Sequence, residues 1–185
     1  MFDKSQAAAR LRATLPDNQD LDVEEAVEIP DGWVFFPQSK EYLRTRDIRF
    51  SLVGSGGVLI ERETGRFFQF GSAFSLDENL AIYEAGYLNY EDWDIEVTKV
   101  KDLTAAAIAI SSLNLKFAVP EFAHSETWRI PKSYNVKQIQ SKLETLPARF
   151  RIGKIYFQWK VIDSLKNQRA FAYALLPNEG LQNSP

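Results

Sequence analysis

Apolar positions along the chain fall into two rhythms, one with helical spacing and one alternating, and they divide it into short elements. Ala7, Ala8, Leu11 and Leu15 share one face of a helix over residues 3–15. Asp3 is placed to cap this helix, and Pro16-Asp17-Asn18 to end it. From Asp20 to Glu28 carboxylates alternate with Leu21, Val23 and Ala26-Val27, which predicts a strand with an acidic outer face. Pro30-Asp31-Gly32 turns the chain into Trp33–Phe36, an aromatic and β-branched run that pairs with it as a hairpin. Trp33 and Phe35 alternate with Val34 and Phe36, so burial is expected on both faces. Residues 39–46 read as a short helix or loop. Val58–Arg62 and Arg66–Phe70 form a second hairpin around Glu63-Thr64-Gly65. Ser75 and Glu78 make a capping box for a helix that carries Leu76, Leu80 and Tyr83 and stops near Gly86.

The second half has its own pattern. Trp93–Val100 alternates as a strand, and Leu103–Leu113 is an alanine-rich helix. Two short strands are predicted at Leu115–Val119 and Glu126–Ile130. Val136, Ile139, Leu143 and Leu146 mark a helix over Asn135–Leu146, ended by Pro147. Lys154–Asp163 and Arg169–Leu176 read as two long strands joined by a polar turn, and Pro177–Pro185 as a frayed tail. The fold class is α+β: two small lobes, each a mainly antiparallel sheet packed with one or two helices. The lobes are placed at 1–88 and 89–185, with a soft boundary near 86–92 and no true linker.

Composition narrows the function classes. The 185 residues include 13 Phe, 7 Tyr and 4 Trp, ample apolar area for cores and contacts. The chain has no cysteine, which excludes disulfides and thiolate metal sites. No apolar run reaches membrane-spanning length, and Met1-Phe2-Asp3-Lys4-Ser5-Gln6 does not read as a signal peptide. A cytoplasmic protein with no membrane partner is expected. The net charge of −3 hides an asymmetry, because residues 1–100 hold 19 acidic and 10 basic side chains and residues 101–185 hold 6 and 12. No dense basic cluster suggests a nucleic-acid partner.

Candidate chemistry is sparse. His124 is the single histidine, and His124-Ser125-Glu126 offers the residue types of a triad without its spatial convergence. Gly54-Ser55-Gly56-Gly57 is followed by strand-like Val58-Leu59-Ile60, whereas a phosphate-binding loop leads into a helix, so a turn or bulge is expected. The acidic residues Asp20, Asp22, Glu24, Glu25 and Glu28 cluster in sequence, as do Glu91, Asp92, Asp94 and Glu96. A solvated acidic face and a partner-binding face are both open readings. Tyr87, Tyr90 and Trp93 beside the second cluster join aromatic anchors to charge, a mixture found at interface hot spots as well as in cores. The candidate partner-binding set is Asp20, Asp22, Glu24, Glu25, Glu28, Tyr87, Tyr90, Glu91, Asp92 and Asp94. No catalytic, metal or cofactor set is proposed.

Four motifs between Gly32 and Glu84 resemble the immunity protein 35 (YrhB-like) family. They are Gly32-Trp33-Val34-Phe35, Leu52-Val53-Gly54, Leu59-Ile60-Glu61-Arg62-Glu63-Thr64-Gly65 and the helix Leu76-Asp77-Glu78-Asn79-Leu80-Ala81-Ile82-Tyr83-Glu84. The resemblance covers residues 3–88, a little under half the chain. Ser55-Gly56-Gly57 stands where the family often has a proline-rich turn, and residues 90–185 have no counterpart in the family's short domain. The resemblance implies a small non-catalytic α+β protein that binds and neutralises a cognate antibacterial toxin. It would do so by occluding the toxin's active site or substrate-docking surface. Nucleases, ADP-ribosyltransferases and peptidases are candidate toxins, and the acidic residues lead us to expect a basic one. The alternatives are a non-catalytic adaptor or chaperone-like protein for an endogenous partner, and an enzyme whose carboxylates converge in space.

Overall fold

A computed structural model describes residues 1–16, 20–23, 26–54, 56–123 and 126–178. Among these are six α-helices and eleven strands, and every paired strand is antiparallel. The fold is α+β, with sheets packed against helices. The chain divides into two compact units, Met1–Ala81 and Ile82–Pro185. No helix among the described residues is long and apolar enough to cross a membrane.

The first unit opens with α1 (Lys4–Arg12). Asp3 accepts from the Gln6 backbone N–H while the Gln6 side chain returns to the Asp3 N–H, so two orphan donors of the first turn are satisfied. Ala7 and Leu11, on the predicted face, pack with Val23, Trp33, Phe35, Val58 and Ile60. The sheet beneath them runs β2 (Val27–Ile29), β3 (Gly32–Phe35), β5 (Val58–Glu61) and β6 (Phe67–Gln69), in that spatial order. Trp33 opposes Ile60 and Val34 opposes Leu59, and both faces of β3 are buried.

The single strand predicted over residues 20–28 is instead two. β1 (Leu21–Val23) pairs with β4 (Pro37–Ser39), whereas β2 pairs with β3 in the four-stranded sheet. Val23 is buried whereas Val27 is exposed, so the predicted alternation does not continue as one buried face. Ser39 caps α2 (Lys40–Thr45), and α3 (Leu76–Glu84) opens on the reciprocal Ser75–Glu78 bonds and ends before Gly86, at φ +74°. Asn79 is buried and fully used: it accepts from the Gly71 N–H and donates to the Gly71, Phe74 and Ser75 carbonyls, which ties down the loop before α3.

The second unit is centred on β7 (Asp92–Val100), flanked by β10 (Ala148–Gly153) and β11 (Phe171–Asn178). Helices α4 (Leu103–Ser111) and α5 (Val136–Leu143) pack against each other, capped by Asp102 and by an Asn135–Gln138 capping box. Ile95, Val97, Ala107, Ile110, Ile139 and Phe150 are fully buried. β8 (Lys116–Ala123) and β9 (Glu126–Ser133) pair only with each other, as a two-stranded ribbon. Both strands are longer than predicted, and β8 runs through Pro120 rather than stopping before it.

Residues 154–163 differ most from the sequence reading. They form a 3₁₀ turn, Ile155–Gln158, and helix α6 (Trp159–Leu165), not a strand. Aromatic and β-branched content favours a strand, but Ile155, Ile162 and Leu165 recur at helical spacing, and they are the buried residues. The third strand of this sheet is β10, which the sequence reading passed over. Its alternation is short but clear, with Ala148 and Phe150 inward and Arg149 and Arg151 outward.

Candidate functional site

Two of the resemblance motifs, Gly32–Phe35 and Leu59–Gly65, join the central strands of the first unit. A Cβ on Gly32 would stand 2.0 Å from the Ile60 carbonyl oxygen, so only glycine lets β3 lie this close to β5. Arg62 lies over the Trp33 ring, 4.4 Å from its centre, and reaches Glu28 at 2.7 Å. The Arg62 backbone bonds Asp31 and Phe2, and Gly65 turns the β5–β6 hairpin at φ +68° with Phe2 packed over it. In the glycine stretch, a Cβ on Gly56 would collide with the Phe70 carbonyl oxygen at 2.4 Å, and strand β5 follows at Val58. Ser55 and His124-Ser125 lie outside the described residues.

The first acidic candidates are already partnered within their own unit. Arg12 donates to Asp22 at 2.5 Å and holds its carboxyl below the usual carboxylate range against the opposing effect of burial; the Val23 N–H adds a second bond. Lys40 meets Asp20 at 2.9 Å, which raises the lysine's affinity for its proton. Glu28 is the acceptor of Arg62. Glu24 and Glu25 lie outside the described residues.

The second cluster is built across the β7–β10 ladder. Arg151 pairs with Asp92, Arg149 bonds Glu96 at 3.1 Å and approaches Asp94 at 3.9 Å, and Lys154 stands 3.8 Å from Glu91. Asp94 is also bonded by Asn178, and its side chain is nearly covered. Tyr87, expected on the contact surface, is a core residue at 5% exposure. It meets Trp93 edge to face at 6.4 Å, its carbonyl accepts from the Trp93 indole N–H, and burial pushes its phenol pKa up. Tyr90 packs on Trp93 at 5.3 Å yet stays 45% exposed. Of the described candidates, Asp20, Glu28, Tyr90 and Glu91 keep the most accessible side chains, two in each unit.

An exposed apolar feature of the first unit lies outside the candidate set drawn from the sequence. It is the loop from Asp47 to Gly54, where Ile48 is 82% and Val53 is 96% exposed, with Phe50 and Leu52 half-exposed beside them. The loop backbone is pinned. Gln38 donates to the Leu52 carbonyl at 3.2 Å and accepts from the Leu52 N–H at 2.8 Å, and Ser39 donates to the Phe50 carbonyl at 2.5 Å. Asp47 opens a 3₁₀ turn, Ile48–Phe50, by accepting from the Arg49 N–H. Side chains of β4 thus hold the loop's polar backbone, while its apolar side chains face water. Contiguous exposed apolar groups on an ordered scaffold mark interaction sites.

No curated protein and no solved structure matches this chain. The N-terminal segment does match a family: residues 4–86, which hold the pinned loop and the Gly32–Trp33–Arg62 arrangement, fit the family model of Immunity protein 35.

Proposed function

We propose that this protein is an immunity protein that binds a cognate toxin and neutralises it by occlusion, without turnover. The observation that carries the reading is the pinned loop Asp47–Gly54 within the family-matched segment. Its backbone is already ordered, so little further entropy is lost when a partner covers Ile48 and Val53. Fully burying one such side chain stabilises a complex by about 1.5–3 kcal/mol.

Asp20 and Glu28, in the same unit as the loop, serve in this reading as rim contacts, and Tyr90 and Glu91 are accessible groups of the second unit. Rim charges set association rate more than affinity. Internal pairing with Lys40, Arg62 and Lys154 reduces the free negative charge available to them, so the reading does not depend on a basic toxin. The experiment is co-expression with the product of the gene immediately upstream, scored for a co-purifying complex and for rescue of growth. A complex with rescue supports the reading. The absence of both a complex and rescue refutes it and favours an adaptor for an endogenous partner.

A further inference from the structure

The β8–β9 ribbon carries chemistry that the loop in the first unit does not use. Alternation along β8 puts Lys116, Ala118, Pro120 and Phe122 on one face, and the register sets Pro131 opposite Ala118 and Arg129 opposite Pro120. All six are exposed, Phe122 at 74%. Lys116 and Arg129 have no ion-pair partner among the described residues. Glu121 belongs to the opposite face, beside Trp128. Thr127 opposite Phe122 and Ser133 opposite Lys116 complete the face, which is therefore apolar at its centre, around Ala118, Pro131 and Pro120, and at Phe122, with charges of one sign only.

The same face runs into a cleft of about 400 Å³ at the base of the ribbon, lined by Lys116, Arg151, Lys154 and the exposed ring of Phe157. Asp92 and Glu91 partly offset Arg151 and Lys154, but nothing described offsets Lys116. Each strand also carries a proline, Pro120 in β8 and Pro131 in β9, which withholds a backbone donor and disfavours addition of a further strand at the ribbon's edges. Recognition through the face is what remains. A free two-stranded ribbon is only marginally stable in water, and cover by a partner would reinforce it.

We propose that this face and its cleft form a second docking surface that takes an acidic, apolar-centred patch of the toxin. Carboxylates of the toxin meet Lys116 and Arg129, and its apolar centre covers Phe122 and Phe157. The charge of the face selects this occupant, since a basic patch would be repelled and a purely apolar one would leave the cations desolvated and unpaired. The inference rests on the immunity reading, but it concerns residues beyond the 4–86 segment that the family match covers.

The test is amide hydrogen exchange of the full chain, alone at two concentrations and with the upstream-encoded toxin, together with affinities for the double variant Lys116→Glu/Arg129→Glu and for Phe122→Ala. Lys99→Glu/Lys101→Glu is the charge control, and thermal melts confirm that each variant folds. The expected result is toxin-dependent protection over residues 116–133, with affinity falling roughly tenfold or more for the double variant and Phe122→Ala, and little change for the control. A complex that leaves the ribbon exchanging as in the free protein, with both ribbon variants at full affinity, overturns the inference while the immunity reading stands. Protection that grows with concentration in the absence of toxin assigns the face to a second copy and also overturns it. Absence of any complex overturns both.

Discussion

Arg62 and Trp33 are stacked, guanidinium over indole at 4.4 Å, and the same guanidinium holds Glu28 at 2.7 Å. One arginine thus joins the β5–β6 hairpin to the two strands before it. Arg62→Ala is expected to lower the local stability of β3 and β5 by about 1–2 kcal/mol, from the lost cation–π contact and a partly exposed ion pair. Arg62→Lys should recover only part of this, because an ammonium does not stack as a plane. Amide exchange at Trp33 and Ile60 reads the change directly. Gly32→Ala, which drives a Cβ into the Ile60 carbonyl, should be far more damaging than either.

Asp22 gives the first unit an acid-sensitive contact. Its carboxyl titrates below its ordinary value of 3.8 because Arg12 bonds the charged form. The folded state therefore favours the carboxylate. The resulting stability is present above the unfolded value and is lost as pH falls through the folded one. Asp22→Asn should flatten the decline of the melting temperature below about pH 4 and lower stability at neutral pH by no more than about 1 kcal/mol, since the pair is partly exposed. An unchanged acid limb in the variant would contradict this assignment.

Tyr87 should behave oppositely. Burial raises its pKa above the ordinary 10.0, with Lys166 pulling it down and Asp163 adding to the rise. The folded state favours the neutral phenol, so its contribution is complete below pH 10 and is lost as pH rises through the folded value. Phenolate absorbance in a titration of wild type against Tyr87→Phe should show the missing tyrosine among those that ionise late. If it ionises with the ordinary tyrosines, Tyr87 is not the core residue described above.

Local chemistry was the legible part of this chain. Asp3–Gln6 and Ser75–Glu78 are short-range capping patterns, and the Pro30-Asp31-Gly32 and Glu63-Thr64-Gly65 turns state their hairpins outright. Residues 154–163 were misread because Tyr156, Phe157, Trp159 and Val161 favour strands while the burial of Ile155, Ile162 and Leu165 decides for a helix. The site was harder for a different reason. The partners of Asp22, Glu28 and Asp92 lie 10, 34 and 59 residues away in sequence, so an acidic run looks free when it is paired. The pinned loop has no periodic pattern to mark it, and Leu52-Val53-Gly54 entered the sequence reading only as a resemblance motif. Its only advance signal would have been Gln38 and Ser39, polar residues fourteen and eleven positions before the carbonyls they hold.

The most direct measurement is the affinity of purified wild type, Ile48→Asp and Val53→Asp for the upstream-encoded toxin, with the thermal stability of each variant measured alongside. Both side chains are exposed, so stability should change by no more than about 0.5 kcal/mol. Affinity should fall by about 1.5–3 kcal/mol, roughly ten- to a hundredfold, and rescue of growth should fall with it. Wild-type affinity and full rescue in both variants would remove the loop from the interface and contradict the account.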